Sequence, residues 1–269
     1  MIRARKQFGQ HFLEPAWVDK VIRTIAPKPD EDFIEIGPGA GALTRPLAAR
    51  ARHVVAFEID RDLAAELRTA ALANVAVVEG DFLEVADTQL RTPADEGRTA
   101  IRVAGNLPYN VASPILFKLV ELYSTGAPLS DAIVMLQREV ADRLVAGPGG
   151  REYGVLSILI GHAAHAEIVL KLPAGAFRPP PKVLSALVRL RFHAPDPPVK
   201  DAALFQGLVQ AVFTRRRKTL ANALLAFPPA AAATPSRILE AAGIDRGRRP
   251  EVLSIAEFAH LADVLAGIG

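Results

Sequence analysis

Cysteine is absent from all 269 residues. Disulfides, thiolate metal sites and cysteine nucleophiles are therefore excluded, and the lack fits a reducing compartment. Long hydrophobic runs are missing too. No stretch of ~18 uncharged apolar residues occurs, so no transmembrane helix is expected. The most apolar run, Gly154 to Ala164, is short and carries His162. No apolar segment long enough for a signal peptide follows the basic start MIRARKQFGQHFL, and a cytoplasmic chain is expected. Net charge is small, +3 from 32 basic and 29 acidic residues, although the sequence pI is about 9.3. That mild basic excess permits a polyanionic partner without requiring one. No internal repeat is visible.

What is present is an alternation of short apolar runs and helical patterns. Residues 15–26 place Val18, Val21, Ile22 and Ile25 at helical spacing, with Pro15 in the first turn. Strands are expected in DFIEI, in His53 to Phe57, in Val75 to Val78, in Ile101 to Ala104 and in Ala132 to Leu136. Helical segments fall between them, at Ala42 to Arg50, Arg61 to Leu72, Ile115 to Tyr123 and Arg138 to Val145. The pattern predicts an α/β fold, a parallel sheet covered on both faces. Ligands of such sheets sit at the carboxyl ends of the strands. The proline-rich HAPDPPVKD then reads as a linker, and beyond it only helices are expected, at Ala202 to Phe213, Lys218 to Phe227, Ser236 to Ala242 and Ile255 to Leu265. The expected division is residues 1–192 as the sheet domain and 193–269 as a small helical domain.

Three features fall at expected strand ends. EIGPGAG places Gly37, Gly39 and Gly41 after the first strand, where glycine lets the backbone turn sharply and approach a ligand. The spacing differs from the dinucleotide pattern, and no tyrosine–lysine pair four residues apart supports an oxidoreductase. It resembles the first motif of S-adenosylmethionine methyltransferases, an acidic residue followed by alternating glycines. Glu58 ends the second strand and can accept hydrogen bonds from both hydroxyls of a ribose; the plain alternative is a helix cap, a role open equally to Asp60. Asp81 follows the third strand, placed to accept from an adenine amine, with Phe82 beside the ring.

Asn106-Leu107-Pro108-Tyr109 names the chemistry. The exocyclic amine of adenine is a poor nucleophile because its lone pair is delocalised into the ring. Two acceptors aimed at its hydrogens favour a pyramidal nitrogen: the side-chain oxygen of Asn106 and the backbone carbonyl of Leu107 or Pro108. Proline stiffens the turn and donates no N–H, and Tyr109 offers a ring face for the base. Neither a general base nor a metal is required. The plain alternative is a turn in which Asn106 caps the next helix.

Together with KQFGQHFL at the start, AFRPPPKV (Ala176 to Val183) and RRRKTLANAL (Arg215 to Leu224), these motifs resemble the ribosomal RNA adenine dimethyltransferases along nearly the whole chain. The resemblance implies a Rossmann-like class I methyltransferase sheet and S-adenosyl-L-methionine as cofactor. It also implies dimethylation of two adjacent adenosines near the 3′ end of small-subunit ribosomal RNA, in an immature 30S particle. It assigns cofactor contacts to His11, Leu13, Gly37, Glu58, Asp81 and Asn106. Two positions depart from the family. Pro15 stands where an acidic residue is usual, with Glu14 before it, and Leu184 precedes Ser185 where aspartate is usual.

Phe177, held by a stiff proline loop, is expected to lie against an extruded adenine; the plain alternative is a core phenylalanine. Arg215, Arg216, Arg217 and Lys218 are expected to open a helix, an unfavourable place for cations that nearby phosphates would relieve. Arg246, Arg248 and Arg249 form a second basic cluster. A monomer suits a protein docking on a large particle. Two other readings fit the same motifs: a resistance-type methyltransferase of large-subunit RNA, and a non-catalytic assembly factor.

Overall fold

The computed structural model describes residues 12–86, 90, 100–228 and 234–267. In chain order the elements are β1 (Phe12–Leu13), α1 (Pro15–Ile25), β2 (Asp32–Ile36), α2 (Thr44–Ala48), β3 (His53–Glu58), α3 (Arg61–Thr69), β4 (Val75–Glu79), β5 (Ile101–Asn106), α4 (Ala112–Ser124), β6 (Leu129–Gln137), α5 (Arg138–Leu144), α6 (Val155–Gly161), β7 (Ala164–Leu172), β8 (Phe177–Arg178) and β9 (Ser185–Phe192). The helices α7 (Ala202–Phe213), α8 (Leu220–Leu224), α9 (Pro235–Ala241) and α10 (Ile255–Ala266) follow.

Local chemistry sets these boundaries. Pro15 occupies the first turn of α1, Val21, Ile22 and Ile25 form its buried stripe, and Ala26 ends it in a left-handed conformation at φ 52°. Asp60 caps α3, its side chain accepting from the Asp62 and Leu63 amides. In β2, Phe33 to Ile36 are all buried, as a strand covered on both faces requires.

Seven strands form one sheet in the order β4-β3-β2-β5-β6-β9-β7. The pairs β3–β4, β2–β3, β2–β5 and β5–β6 are parallel. Strand order reverses direction between β2 and β5, so a crevice opens at their carboxyl ends. The sheet departs from the all-parallel expectation, because β9 runs antiparallel to β6. An antiparallel neighbour needs no helical crossover, and none separates β7 from β9. A separate two-stranded ladder pairs β1 with β8, Leu13 opposite Phe177.

The chain divides into two compact units. One holds residues up to 141 together with 166–192, the other 142–165 together with the residues from 193 onward. Relative to the division expected at 192/193, the segment 142–165 belongs with the helices. The reason lies in its contacts inside that unit. The buried Tyr153 donates its hydroxyl to the Leu253 carbonyl at 2.9 Å, and burial pushes that hydroxyl's pKa up to about 12. His162 meets the Pro197 carbonyl at 2.6 Å and packs its ring on Phe205 with centroids 4.5 Å apart. The Ser157 hydroxyl donates to the Arg143 carbonyl.

Candidate active site

The ends of β2, β3, β4 and β5 surround a cavity of about 330 Å³. Its first wall is the turn after β2. Gly37 and Gly39 line it with φ of 67° and 56°, in the left-handed region that glycine enters without cost. Gly37 donates its N–H to the Phe57 carbonyl at 2.9 Å, and a Cβ there would come within 3.8 Å of the Asn106 carbonyl. Gly41 does something else. It is outside the cavity lining, and its Cβ would sit 2.9 Å from Leu67 Cδ1. At φ 82° the backbone of Gly41 is in the left-handed region, which explains the glycine there, and the residue stands off the cavity wall.

The second wall is the end of β3. Glu58, 5 % exposed, accepts the Gly39 N–H on Oε2 and the Asp60 N–H on Oε1, each at 2.9 Å. Burial raises its pKa above the ordinary carboxylate value, while the Asp60 and Gly39 amides pull it back. Asp60 is the cap of α3, so the alternative left open between the two acids resolves: Glu58 faces the cavity and Asp60 the helix. Ile59 projects beside it, 54 % exposed and lining the cavity. Asp81 follows β4, accepts the Leu83 N–H at 2.9 Å and lines the same space. Phe82 is buried beneath, its ring edge-on to Phe57 at 5.4 Å.

Asn106 to Tyr109 form the third wall. Gly105 explains why the strand can end there. A Cβ on it would stand 2.6 Å from the Ile36 carbonyl, so only glycine allows β5 this close to β2. The cap of α4 is Val111, without a side-chain cap bond, so Asn106 is not spent on capping that helix. The Pro108 carbonyl already accepts the Val111 N–H at 3.1 Å. Leu107, whose own N–H is bound to the Met135 carbonyl at 3.2 Å, has no backbone donor on its carbonyl among the described residues. Of the two carbonyls considered, Leu107 is thus the better acceptor. The Tyr109 hydroxyl sits 2.8 Å from Ser185 Oγ, and burial raises its pKa above the ordinary phenol value.

Leu13 also lines the cavity, fixed there by β1–β8 pairing and by the Glu14 N–H, which donates to the Ala176 carbonyl at 2.9 Å. Glu14 forms an ion pair with Arg178 as well. His11 lies outside the described residues. Phe177 corrects an expectation. Opposite Leu13 and 2 % exposed, it belongs to the hydrophobic core with Val21, Ile22 and Leu187, and it does not line the cavity. The unforeseen lining residue with the strongest chemistry is Glu35, 1 % exposed, whose Oε2 and the nearby Thr44 Oγ1 have no hydrogen-bond partner among the described residues. Its sequence signal was present: it is the acidic residue that opens the glycine motif.

The basic residues divide. The run 215–218 follows the C-terminus of α7, and Thr219 caps α8 after it. Cations are favoured at a helix C-terminus, so Arg215 and Arg216 sit favourably after α7, and only Lys218 lies next to the start of α8. Arg216 is held by Glu251 at 2.6 Å and by the Arg151 carbonyl at 2.6 Å. Arg248 pairs with Glu257. Both are structural cations within the helical unit. Arg215 donates to the Asn222 carbonyl at 3.3 Å. Arg217, Lys218, Arg246 and Arg249 are exposed.

Compared with known families, the chain matches the model for ribosomal RNA adenine dimethylase over residues 1–263. The chain belongs to the ribosomal RNA adenine dimethylase family. Among relatives of this dimethylase, ribosomal RNA small subunit methyltransferase A of Pseudomonas fluorescens is 42% identical across 98% of this chain and 94% of its own length. The protein of the same name from Anaeromyxobacter dehalogenans is 42% identical across 97% and 93%. Two solved structures share the dimethylase fold. A dimethyladenosine transferase from Plasmodium falciparum gives a TM-score of 0.73 at 25% identity, covering 93% of this chain and 96% of that one. The 23S rRNA methyltransferase ErmE gives 0.65 at 28% identity, covering 95% and 99%. The chain is a ribosomal RNA adenine methyltransferase of the class I fold.

Proposed function

We propose that the cavity binds S-adenosyl-L-methionine and that this protein dimethylates two adjacent adenosines near the 3′ end of small-subunit ribosomal RNA. The site fits that donor. A glycine cradle, a buried carboxylate already oriented by two amides, and an apolar side chain at the rim supply what a charged amino-acid nucleoside needs. Glu58 accepts from ribose hydroxyls, Asp81 from the adenine amine, and Ile59 and Phe82 flank the ring. When bound, the donor supplies an electrophilic methyl group on a sulfonium.

The target amine is prepared by this chain's own atoms. Asn106 Oδ1 and the Leu107 carbonyl accept its two N–H bonds and draw the lone pair out of conjugation. Tyr109 stacks on the extruded base. Alignment and water exclusion supply the rest of the rate. The observation that carries this reading is the position of Asn106, at the end of β5 and lining the cavity that Glu58 and Gly39 bound from β3 and β2. Exposed Arg217, Lys218, Arg246 and Arg249 are proposed to meet RNA phosphates. Among the described residues no helix is long and apolar enough to cross a membrane; the proposed partner is an immature 30S particle, met by a cytoplasmic monomer.

Methyl transfer to unmodified 30S-type and 50S-type particles, with the modified nucleotide mapped, tests the target. Modification confined to 50S-type particles replaces this reading with the large-subunit one. In Asn106→Ala, kcat is expected to fall at least about a hundredfold, the scale seen when one preorganised hydrogen-bonding group is removed, in protein that still folds and unfolds cooperatively. Full activity in that variant refutes the mechanism. Absence of donor binding by the wild-type protein would instead favour an assembly factor without catalysis.

A further inference from the structure

We infer that Ser185 is a positioning residue for methyl transfer: its buried hydroxyl sets the orientation of the Tyr109 ring against the target base. The inference rests on the function proposed above. Ser185 opens β9, and its side chain is 1 % exposed. Its Oγ lies 2.8 Å from the Tyr109 hydroxyl, 76 residues away in sequence. Ser185 is itself fixed. It pairs with Gln137 in the β6–β9 ladder, and the preceding carbonyl, that of Leu184, accepts the Arg138 N–H at 2.9 Å. The ring of Tyr109 leaves a turn stiffened by Pro108, so its backbone is held at one end and its hydroxyl at the other. A tyrosine anchored only by its backbone samples other χ1 and χ2 angles; the Ser185 contact removes that freedom on the side that meets the base.

A stacking face works catalytically only when the amine stays aligned with the transferring methyl. Small misplacements of this kind lower turnover, since a near-attack geometry is what the site provides. RNA affinity rests mostly on phosphate contacts elsewhere, so loss of the anchor should appear in kcat and not in KM for RNA.

The test uses the full chain with unmodified 30S-type particles. Ser185→Ala is expected to lower kcat about fivefold to tenfold, the loss of one buried hydrogen bond. KM for RNA and donor affinity by calorimetry should stay near the wild-type values, and the melting temperature should fall by only a few degrees, about 2–4 °C for the loss of one buried hydrogen bond. Tyr109→Phe, which keeps the ring but removes the same bond, should give a similar kcat, and the double variant should be no slower than either single one. Two outcomes overturn the inference: a wild-type kcat in Ser185→Ala, or losses in the two single variants that multiply in the double. A purely structural Ser185 would give the first of these, a lower melting temperature with the kcat of the folded enzyme unchanged. Asn106→Ala in the same assay separates the two claims. If that variant is dead while Ser185→Ala is fully active, the positioning role fails and the function stands; if Asn106→Ala is fully active, the proposed mechanism itself fails.

Discussion

Glu35 offers a prediction that needs neither donor nor RNA. Its carboxyl is buried in the cavity wall, and burial raises its pKa from an ordinary 4.5 to about 8, with the Glu58 charge adding to the rise. The folded protein therefore holds this proton more tightly than the unfolded chain does. The corresponding stability is complete below pH 4.5 and is lost as pH climbs towards 8. At about 1.4 kcal/mol per pH unit, with titration tapering near the folded pKa, the loss between pH 6 and pH 8 comes to about 2 kcal/mol. Glu35→Gln keeps the shape and removes the titration. Trp17 is the single tryptophan of the chain and packs against the core that contains Phe33, two residues before Glu35. Its fluorescence during urea unfolding thus follows the unit that holds Glu35, which matters because a chain with two units need not unfold in one step. The wild-type free energy should fall by about 2 kcal/mol more than that of the variant between the two pH values. Glu58 is present in both proteins, so its burial cancels in the difference and only its coulombic coupling to Glu35 remains. Parallel pH profiles for the two proteins would refute a protonated Glu35.

Gly105→Ala forces a Cβ against the Ile36 carbonyl; overpacking of this kind costs about 1–3 kcal/mol. A melting temperature lower by about 5 °C is expected, at roughly 2–4 °C per kcal/mol for a unit of this size, together with slower methyl transfer. An unchanged thermogram would show that β5 can yield at that point. Arg216→Ala should destabilise the helical unit by about 1–2 kcal/mol, since it breaks a half-buried ion pair and strips the Gly150 and Arg151 carbonyls of their donor. The double substitution Arg217→Ala, Lys218→Ala should leave melting intact and flatten the salt dependence of RNA binding by about two phosphate contacts. If instead Arg216→Ala weakens RNA binding without a melting change, the assignment of structural and RNA-facing cations is reversed.

Much of the catalytic unit was legible because its chemistry is carried by contiguous residues at strand ends. Helix α7 was readable to its termini, since Asp201 caps an apolar stripe that runs unbroken to Phe213. The stretch 146–192 was less legible. Strand β7 is mostly half-buried and carries no strong alternation, and β9 is antiparallel, a relation that no local pattern encodes. Proline-rich AFRPPPKV drew attention to a loop, while the residue with a visible consequence for the site, Ser185, lay just beyond it. Its signal is a hydrogen bond across 76 residues, which only the folded chain can bring together.

By itself the sequence determined the glycine turn, the acids after β3 and β4, and the Asn106-to-Tyr109 segment, because parallel strands deliver their carboxyl ends to one edge wherever apolar runs alternate with helices. Tertiary structure decided how each residue type is used. It buried Phe177 in the core, set Gly41 off the cavity wall, and spent Arg216 and Arg248 on internal carboxylates. It also buried the Glu35 carboxyl, which raises its pKa, and gave the Pro108 carbonyl a backbone donor in Val111. Each of those outcomes depends on which distant atoms arrive as neighbours and on how far water is excluded, and neither quantity is a property of a local stretch of chain.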